Sequence, residues 1–274
     1  MAEPLLAASG LVVAYERRRG LLRAPGSARP VLRGVDVRVE RGEIVGIVGE
    51  SGSGKTTLGR ALLGLVRPRS GTIRFEGREL VGLADVAMRP IRRRMQMIFQ
   101  DPAAALNPRH RIRRILAEPL RLHGVAADRR AAERVIHPVF ERVGLPAAVL
   151  DRFPHELSGG QRQRVGIARA VMLKPDFVLA DEIVSGLDVS TQAHVLLLIK
   201  ELAREMGLSL AFISHDLSVV RAICERVYVM REGEVVEEGN CAALFAAPKA
   251  AYTRALIDAS PLPVPDPDWL RRAA

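Results

Sequence analysis

The sequence feature that most constrains the fold is a glycine-rich segment between a predicted strand and a predicted helix. The residues from Glu43 to Val48 are mostly apolar, which predicts a strand buried on both faces. Beyond the glycines, apolar residues recur at the spacing of one helix face: Leu58, Ala61, Leu62 and Leu65. The segment between these elements, Gly49 to Thr56, fits the pattern G-x-x-x-x-G-K-[ST] completely. A chain with this order is expected to fold around a phosphate-binding loop.

This loop predicts a site that binds ATP with Mg²⁺ and hydrolyses the ATP. Glycine permits backbone conformations that turn successive N–H groups toward phosphate oxygens, and the helix beginning near Lys55 adds its positive dipole end. Lys55 is expected to reach the β- and γ-phosphates, and the Thr56 hydroxyl to bind Mg²⁺. A merely flexible turn is the alternative, which the flanking strand and helix disfavour. The residues expected to contact the nucleotide are Gly49, Glu50, Ser51, Gly52, Ser53, Gly54, Lys55, Thr56 and Thr57.

A second apolar strand, Phe177 to Ala180, ends in the acidic pair Asp181-Glu182. A carboxylate at the end of a buried parallel strand beside a phosphate loop is placed to hold Mg²⁺, so Asp181 is expected to bind the metal through water. Glu182 is then placed to polarise an attacking water. Acidic pairs at strand ends are common, and the phosphate loop is what makes this pair a functional candidate.

The segment Leu157 to Gln161 predicts a second anion site. Ser158, Gly159 and Gly160 offer a hydroxyl and bare backbone N–H groups at the start of a predicted helix. One chain needs only one phosphate loop for each nucleotide. The simplest interpretation is that this segment, with Gln161, caps the γ-phosphate of a nucleotide held by another protomer. A helix start built from small residues is the alternative.

The remaining patterns indicate how the chain is organised. The run Leu11 to Tyr15 and the alternating residues Val35, Val37 and Val39 predict antiparallel strands before the loop. Between about residues 101 and 160, no sequence pattern typical of a strand is present. Two helices are predicted there. The first starts near Pro108 and carries a stripe of apolar residues: Ile112, Ile115, Leu116 and Leu120. The second lies near residues 131–143.

Strands alternate with helices again from Gln161 onward, which predicts a mostly parallel, covered sheet. The predicted strands are Phe177–Ala180, Leu208–Ile213 and Val227–Met230. We therefore expect an α/β fold with a P-loop NTPase core, an N-terminal antiparallel β subdomain and an inserted α-helical subdomain. One domain would cover residues 1–258, with an exposed loop at Gly20–Pro30 and a proline-rich tail at 259–274.

Composition disfavours several classes of protein. The net charge is +10, but aromatic residues make up only 4% of the chain and no stacking motif is interleaved with the arginines. Nucleic-acid binding is therefore not expected, and the charge predicts solvated surface or a face toward an acidic partner or lipid.

No apolar run approaches the roughly 18 residues of a membrane-spanning helix, and no secretory signal is recognised, so a cytoplasmic protein is expected. Cys224 and Cys241 have no metal-ligand spacing, and Cys224 is expected to be buried.

The phosphate loop, the Leu157–Gln161 segment and the Asp181-Glu182 pair, in this order, resemble the ATP-binding subunit of an ATP-binding-cassette (ABC) transporter. The resemblance covers about residues 5 to 258 and implies further roles. Gln100 would sense the metal and the γ-phosphate, His215 would contact the γ-phosphate, and Tyr15 would stack on adenine. Asp188, in the segment Ser185 to Asp188, would belong to the loop that crosses between two ATPase protomers. The implied metal residues are Thr56, Gln100 and Asp181, and the implied catalytic residues are Glu182, His215, Gln100 and Lys55.

The segments Asp101–Arg109, Glu118–Leu120 and Ala251–Leu256 further resemble the subfamily that serves oligopeptide, dipeptide and nickel importers. This implies a peripheral subunit on the cytoplasmic face of the inner membrane. Its partners would be two transmembrane permease subunits, a second ATPase protomer, identical or homologous, and an extracytoplasmic substrate-binding protein. A soluble ATPase of a non-transport complex, such as one for phosphonate breakdown, is the alternative. One departure is Ile183, where many family members carry proline.

Overall fold

The computed structural model describes residues 3–15 and 29–260. Most of the predicted Gly20–Pro30 loop, and the tail beyond Ser260, lie outside the described residues. The chain divides into two compact units; the described residues of the first are 3–15, 29–84 and 211–260, and those of the second are 85–210. A single domain over 1–258, with a helical insertion at about 101–160, stays a prediction.

The elements are numbered in chain order. The strands are β1 (Leu6–Val13), β2 (Leu32–Val39), β3 (Ile44–Val48), β4 (Ser70–Phe75), β5 (Arg78–Glu79), β6 (Met95–Ile98), β7 (Phe177–Asp181), β8 (Ser209–Ile213), β9 (Arg226–Arg231) and β10 (Glu234–Asn240). The helices are α1 (Lys55–Leu62), α2 (Asp85–Arg94), α3 (Pro102–Ala105), α4 (Ile112–Leu122), α5 (Arg129–Arg142), α6 (Gly159–Val171), α7 (Val189–Met206), α8 (Leu217–Ile223), α9 (Cys241–Ala246) and α10 (Ala251–Ala259).

The first unit contains an antiparallel sheet with the strand order β2-β1-β4-β5. Val35 pairs with Leu11 across β1 and β2, and the three predicted valines are buried while the residues between them are exposed. The alternation thus directs one face of β2 inward, and the predicted N-terminal antiparallel sheet is confirmed. The prediction of the first strand at Leu11–Tyr15 was too late in the chain. The strand spans Leu6–Val13, because Leu6 already pairs with Val39 of β2 and with Phe75 of β4.

The strand before the glycine-rich loop, β3, is buried at every position and runs parallel to β9, which pairs antiparallel with β10. Helix α1 follows the loop, so the predicted strand–loop–helix order is confirmed. The helix is shorter than its apolar spacing predicted. It ends at Leu62, and Leu65 lies beyond it with 55% of its surface exposed. Gly64 adopts a positive φ of 66° just after the helix end, a conformation that terminates helices.

In the second unit, β6 and β7 are parallel neighbours, with Ile98 paired with Ala180. Because parallel strands end at the same edge, the segments that follow them, at Gln100 and at Asp181-Glu182, leave the sheet together. Strand β8 begins in the second unit and ends in the first. These parallel pairs, with the helices between them, confirm the predicted α/β class.

Helices α4 and α5 confirm the helical character predicted for the middle of the chain. The apolar stripe of α4 is buried as predicted: Ile112, Ile115, Leu116 and Leu120. Pro108 does not begin this helix, which starts at Ile112 after Arg111. The start of α5 is capped by the Asp128 carboxylate, which accepts a hydrogen bond from the Ala131 N–H at 2.7 Å. Across the described parts of both units, no helix is long and apolar enough to cross a membrane.

Candidate active site

The phosphate loop is organised around a buried lysine. Lys55 is 5% exposed, and its ammonium group donates hydrogen bonds to the carbonyl oxygens of Gly49 at 2.7 Å and Glu50 at 2.9 Å. Helix α1 begins at this lysine, and the preceding residue, Gly54, has no side chain to cap it. A positive side chain and an uncapped helix N-terminus therefore converge inside the loop, an arrangement that favours anions.

Two glycines of the loop have no space for a side chain. A Cβ on Gly49 would lie 2.1 Å from the Met230 carbonyl oxygen, and one on Gly54 would lie 2.9 Å from Leu32 Cδ2. The Ser53 hydroxyl is buried and has no hydrogen-bond partner among the described residues. A buried hydroxyl without a partner is costly unless a ligand satisfies it. The buried lysine, the bare helix start and this hydroxyl together fit the phosphates of a nucleotide.

The rim of the loop carries two tyrosines. Tyr15 is 48% exposed, and its hydroxyl lies 3.4 Å from the Thr57 hydroxyl, so the exposed ring stands beside the loop. The Tyr252 hydroxyl accepts a hydrogen bond from the Glu50 N–H at 3.2 Å. Tyr252 was not predicted as a site residue. Its only sequence signal was its place in the subfamily segment Ala251–Leu256, which says nothing about contact with the loop.

His215 lies on the turn between β8 and α8 of the first unit and is exposed. The preceding residue, Ser214, donates its N–H to the Ile47 carbonyl of β3 at 3.3 Å. The following residue, Asp216, caps α8 by accepting hydrogen bonds from the Ser218 N–H and hydroxyl. The histidine is thus held on a turn tied to the strand that leads into the phosphate loop.

The acidic pair of the second unit lies at the end of β7. Asp181 is 2% exposed, whereas Glu182 is half-buried and adopts a positive φ of 47°. The Gln100 side-chain amide donates a hydrogen bond to the Glu182 carboxylate, with Nε2 and Oε2 2.9 Å apart. Ile183, which stands where many family members carry proline, is 1% exposed and packs into the core. The turn is therefore anchored by an apolar side chain.

The predicted second anion site lies at the N-terminus of α6. The Ser158 hydroxyl accepts a hydrogen bond from the Gln161 N–H at 3.2 Å, and the Gln161 side chain accepts one from the Ser158 N–H at 3.1 Å. This reciprocal capping box fixes the helix start. Ser158 and Gly159 are exposed.

Asp188 caps α7, the longest helix among the described residues. Its carboxylate accepts hydrogen bonds from the Thr191 N–H at 2.9 Å and the Thr191 hydroxyl at 2.7 Å. These bonds, the backbone one first, lower the pKa of Asp188 below its ordinary value, because they stabilise the charged form. Asp188 therefore has a structural role besides the one that the family resemblance implies.

The predicted site residues form two sets, one in each unit. The first set is Tyr15, the loop from Gly49 to Thr57, and His215; the second is Gln100, Ser158 to Gln161, Asp181, Glu182 and Asp188. The predicted metal residues are divided between the units, with Thr56 in the first and the other two in the second. In the described part of the chain, no cluster of three or more His, Cys, Asp or Glu side chains could hold a metal ion by itself.

Comparison with known proteins identifies the family. The sequence pattern of the ABC transporter family matches residues 32–185. The oligopeptide transport ATP-binding protein OppF of Escherichia coli is 47% identical over 244 residues, covering 89% of this chain and 72% of OppF. A protein of Brucella ovis named as a peptide import ATP-binding protein is 48% identical over 265 residues, covering 97% of this chain and 80% of that protein. The chain belongs to the ABC transporter family.

Solved structures support the same conclusion. The dimeric post-hydrolysis structure of the ATP-binding cassette MJ0796, bound to ADP and Pi, matches with a TM-score of 0.76 and 27% identity, covering 86% of this chain and 98% of that one. The cassette cbiO1 from Clostridium perfringens, part of the complex cbiONQ, matches with a TM-score of 0.75 and 26% identity, covering 89% of this chain and 92% of that one. The family predicted from three motifs and the predicted fold are both confirmed. The relatives' names, which give peptide import and oligopeptide transport, support the resemblance to the subfamily that serves oligopeptide, dipeptide and nickel importers.

Proposed function

We propose that this protein is the ATP-binding and ATP-hydrolysing motor subunit of an importer for peptides. The observation that carries the proposal is the buried Lys55, held by two loop carbonyls at the start of α1. A lysine in this position neutralises phosphate charge. The choice of peptides as cargo is supported by relatives at 47% and 48% identity that are named for peptide transport and peptide import.

Each predicted site residue has a proposed part in this reaction. Lys55 and the N–H groups of the loop bind the phosphates, and Tyr15 stacks on the adenine. Glu182 polarises the attacking water, and His215 contacts the γ-phosphate. Thr56, Asp181 and Gln100 are the residues that would hold Mg²⁺. When bound, Mg²⁺ neutralises phosphate charge that develops during transfer.

The active form is proposed to be a dimer of two ATPase protomers. The exposed N-terminus of α6, with Ser158, Gly159 and Gly160, would contact the γ-phosphate of the nucleotide held by the other protomer. The loop around Asp188 would cross between the protomers. The structure of the MJ0796 cassette, which is dimeric and holds ADP and Pi, supports this arrangement. Closure of the dimer on ATP would move the helical region, and hydrolysis would reopen it.

The complete transporter would contain two transmembrane permease subunits and an extracytoplasmic substrate-binding protein. The ATPase would then lie peripherally on the cytoplasmic face of the inner membrane. The motor role requires this assembly, because ATP hydrolysis alone moves no solute.

Phosphate release by the purified protein tests the proposal directly. The wild-type chain should release phosphate from ATP in the presence of Mg²⁺, and Lys55→Ala should bind ATP much more weakly because phosphate charge is left uncompensated. Lys200→Ala, which removes an exposed lysine on α7, is the matched control and should behave as wild type. Full-strength ATP binding by Lys55→Ala would show that the loop is misassigned. Specific activity should also fall on dilution, because the monomer holds only half of each site.

Co-purification from the native cell tests the transport role. Multi-span membrane proteins and a second ATPase are expected to accompany the tagged chain. Recovery of soluble lyase subunits instead would contradict the importer and support the non-transport alternative.

A further inference from the structure

Residues in the C-terminal part of the first unit contact the phosphate loop and hold its backbone in place. Strand β9 and the turn that follows it each approach the loop once. Gly233, in the turn, donates its N–H to the Ser53 carbonyl at 2.9 Å, and the carbonyl of Met230, in β9, fills the space where Gly49 lacks a side chain. Helix α10 supplies a third contact, from the Glu50 N–H to the Tyr252 hydroxyl at 3.2 Å. The loop is therefore held by elements about two hundred residues away along the chain.

Tyr252 is itself held in place. The guanidinium carbon of Arg231 lies 5.0 Å from the centre of its ring, within the range of a cation–π contact. Helix α10 has no side-chain cap of its own. Instead, the Glu237 carboxylate accepts hydrogen bonds from the N–H groups of Lys249 at 2.9 Å and Ala250 at 3.0 Å, directly before the helix. Burial alone would raise the pKa of Glu237, but the hydrogen bonds it accepts outweigh burial and keep the carboxylate charged.

The peptide group between Gly49 and Glu50 links Tyr252 to the lysine of the loop. Its N–H, on Glu50, donates to the Tyr252 hydroxyl, and its carbonyl, on Gly49, accepts from the Lys55 ammonium at 2.7 Å. A hydrogen-bonded path therefore runs from α10 through one peptide group to Lys55. If the Glu50 N–H lost its acceptor, this peptide group could rotate, and the Gly49 carbonyl would no longer be fixed toward the ammonium group.

We propose that Tyr252 is a positioning residue for nucleotide binding. Its hydroxyl fixes the peptide group between Gly49 and Glu50 and thereby holds the Gly49 carbonyl on Lys55, so the loop is ordered before the phosphates arrive. Binding to an ordered loop loses less conformational entropy, which increases affinity. This inference rests on the proposed function, that the loop binds ATP. Tyr252 needs no contact with the nucleotide for this role.

The test compares two tyrosine-to-phenylalanine variants of the full chain. Tyr252→Phe keeps the ring and its contact with Arg231, and removes the hydroxyl alone. Tyr228→Phe is the matched control, because its hydroxyl is bonded to Arg38 and Arg226 in the same unit and makes none of the hydrogen bonds to the loop. The loss of one hydrogen bond predicts ATP binding weaker by about 2- to 10-fold in Tyr252→Phe. Tyr228→Phe should lower thermal stability and leave ATP affinity unchanged.

Two further measurements separate positioning from a general structural role. KM for ATP should rise in Tyr252→Phe while kcat at saturating ATP stays unchanged, since the residue acts on binding. Hydrogen exchange at the Glu50 amide should accelerate in the variant without ATP, and exchange in β3 should not change. Glu237→Ala should also weaken ATP binding. The double variant should bind ATP no more weakly than the more affected of the two single variants.

The outcomes are distinct. Wild-type ATP affinity in Tyr252→Phe, or equal weakening in both tyrosine variants, overturns the positioning role and leaves the proposed ATPase function intact. An absence of ATP binding in the wild-type protein, with Lys55→Ala no different from it, overturns both proposals.

Discussion

The Gln100 side-chain amide donates a hydrogen bond to the Glu182 carboxylate, with Nε2 and Oε2 2.9 Å apart. The two residues are 82 positions apart in the chain and follow β6 and β7, which are parallel neighbours. The residue proposed to sense the nucleotide is thus bonded to the residue proposed to polarise water.

Glu182→Gln should retain ATP binding and lose turnover by roughly 10²- to 10⁴-fold, the usual contribution of a general base. The variant keeps a carbonyl oxygen that can accept from Gln100, so the local structure should survive. Nucleotide affinity and single-turnover hydrolysis are the measurements, with Glu201→Gln, an exposed glutamate of α7, as the control. Undiminished turnover in Glu182→Gln would reject this residue as the base.

Two substitutions at Ser158 should separate its capping role from its proposed contact with the partner's nucleotide. Ser158→Ala removes the cap of α6 and should cost about 1 kcal/mol of unfolding free energy. Ser158→Asn can still cap the helix, so its stability should match wild type while ATPase activity at dimer-forming concentrations falls. Calorimetry and phosphate release measure the two effects. Full activity in both variants would mean that the hydroxyl has no part in hydrolysis.

The pair formed by Glu43 and Arg226 should make stability depend on pH on the acidic side. Nε and Nη2 of Arg226 donate to the two carboxylate oxygens of Glu43, both at 2.8 Å. Burial raises the pKa of Glu43, but the bonds and charge of Arg226, the bond from the Glu40 N–H and the charge of Arg38 together bring the net pKa below the ordinary value of 4.5. The folded pKa is depressed, so the stabilisation is present above the unfolded pKa and is lost as pH falls through the folded pKa.

Glu43→Gln should therefore lower the unfolding free energy by about 1–3 kcal/mol near neutral pH and flatten its decline below pH 4.5. Glu76→Gln is the control, because Glu76 pairs with Arg41, whose side chain is 59% exposed. Loss of the ion pair between Glu76 and Arg41 should change the unfolding free energy by less than about 1 kcal/mol. Denaturant titrations at a series of pH values measure both. Equal pH dependence in wild type and Glu43→Gln would contradict the assignment.

The two cysteines should be unreactive in the folded protein. Cys224 and Cys241 are 8% and 2% exposed, and burial raises the pKa of both thiols, that of Cys241 to about 11. Near neutral pH neither forms the thiolate that reacts. A thiol-specific disulfide reagent should therefore label neither residue in the native state and both after unfolding in guanidinium. Labelling of one thiol in the native state at the rate of a free thiol would contradict the described burial.

Several features followed from local sequence alone. The glycine pattern between an apolar strand and a periodic helix predicted the phosphate loop, because backbone conformation and helix starts depend on neighbouring residues. The alternation of valines in β2 and the stripe of α4 likewise predicted which side chains are buried. The end of α1 was predicted one turn too late, since the apolar spacing continued to Leu65 although Gly64 stops the helix.

What the sequence by itself determined is therefore the phosphate loop, the order of its motifs and the family that this order identifies. Only the tertiary structure decided that Gln100 meets Glu182 and that Tyr252, 202 residues away from Glu50, braces the loop. The reason is physical. Periodicity and turn chemistry act over a few residues, whereas a hydrogen bond between distant residues depends on how whole strands and helices pack, and no local pattern records that.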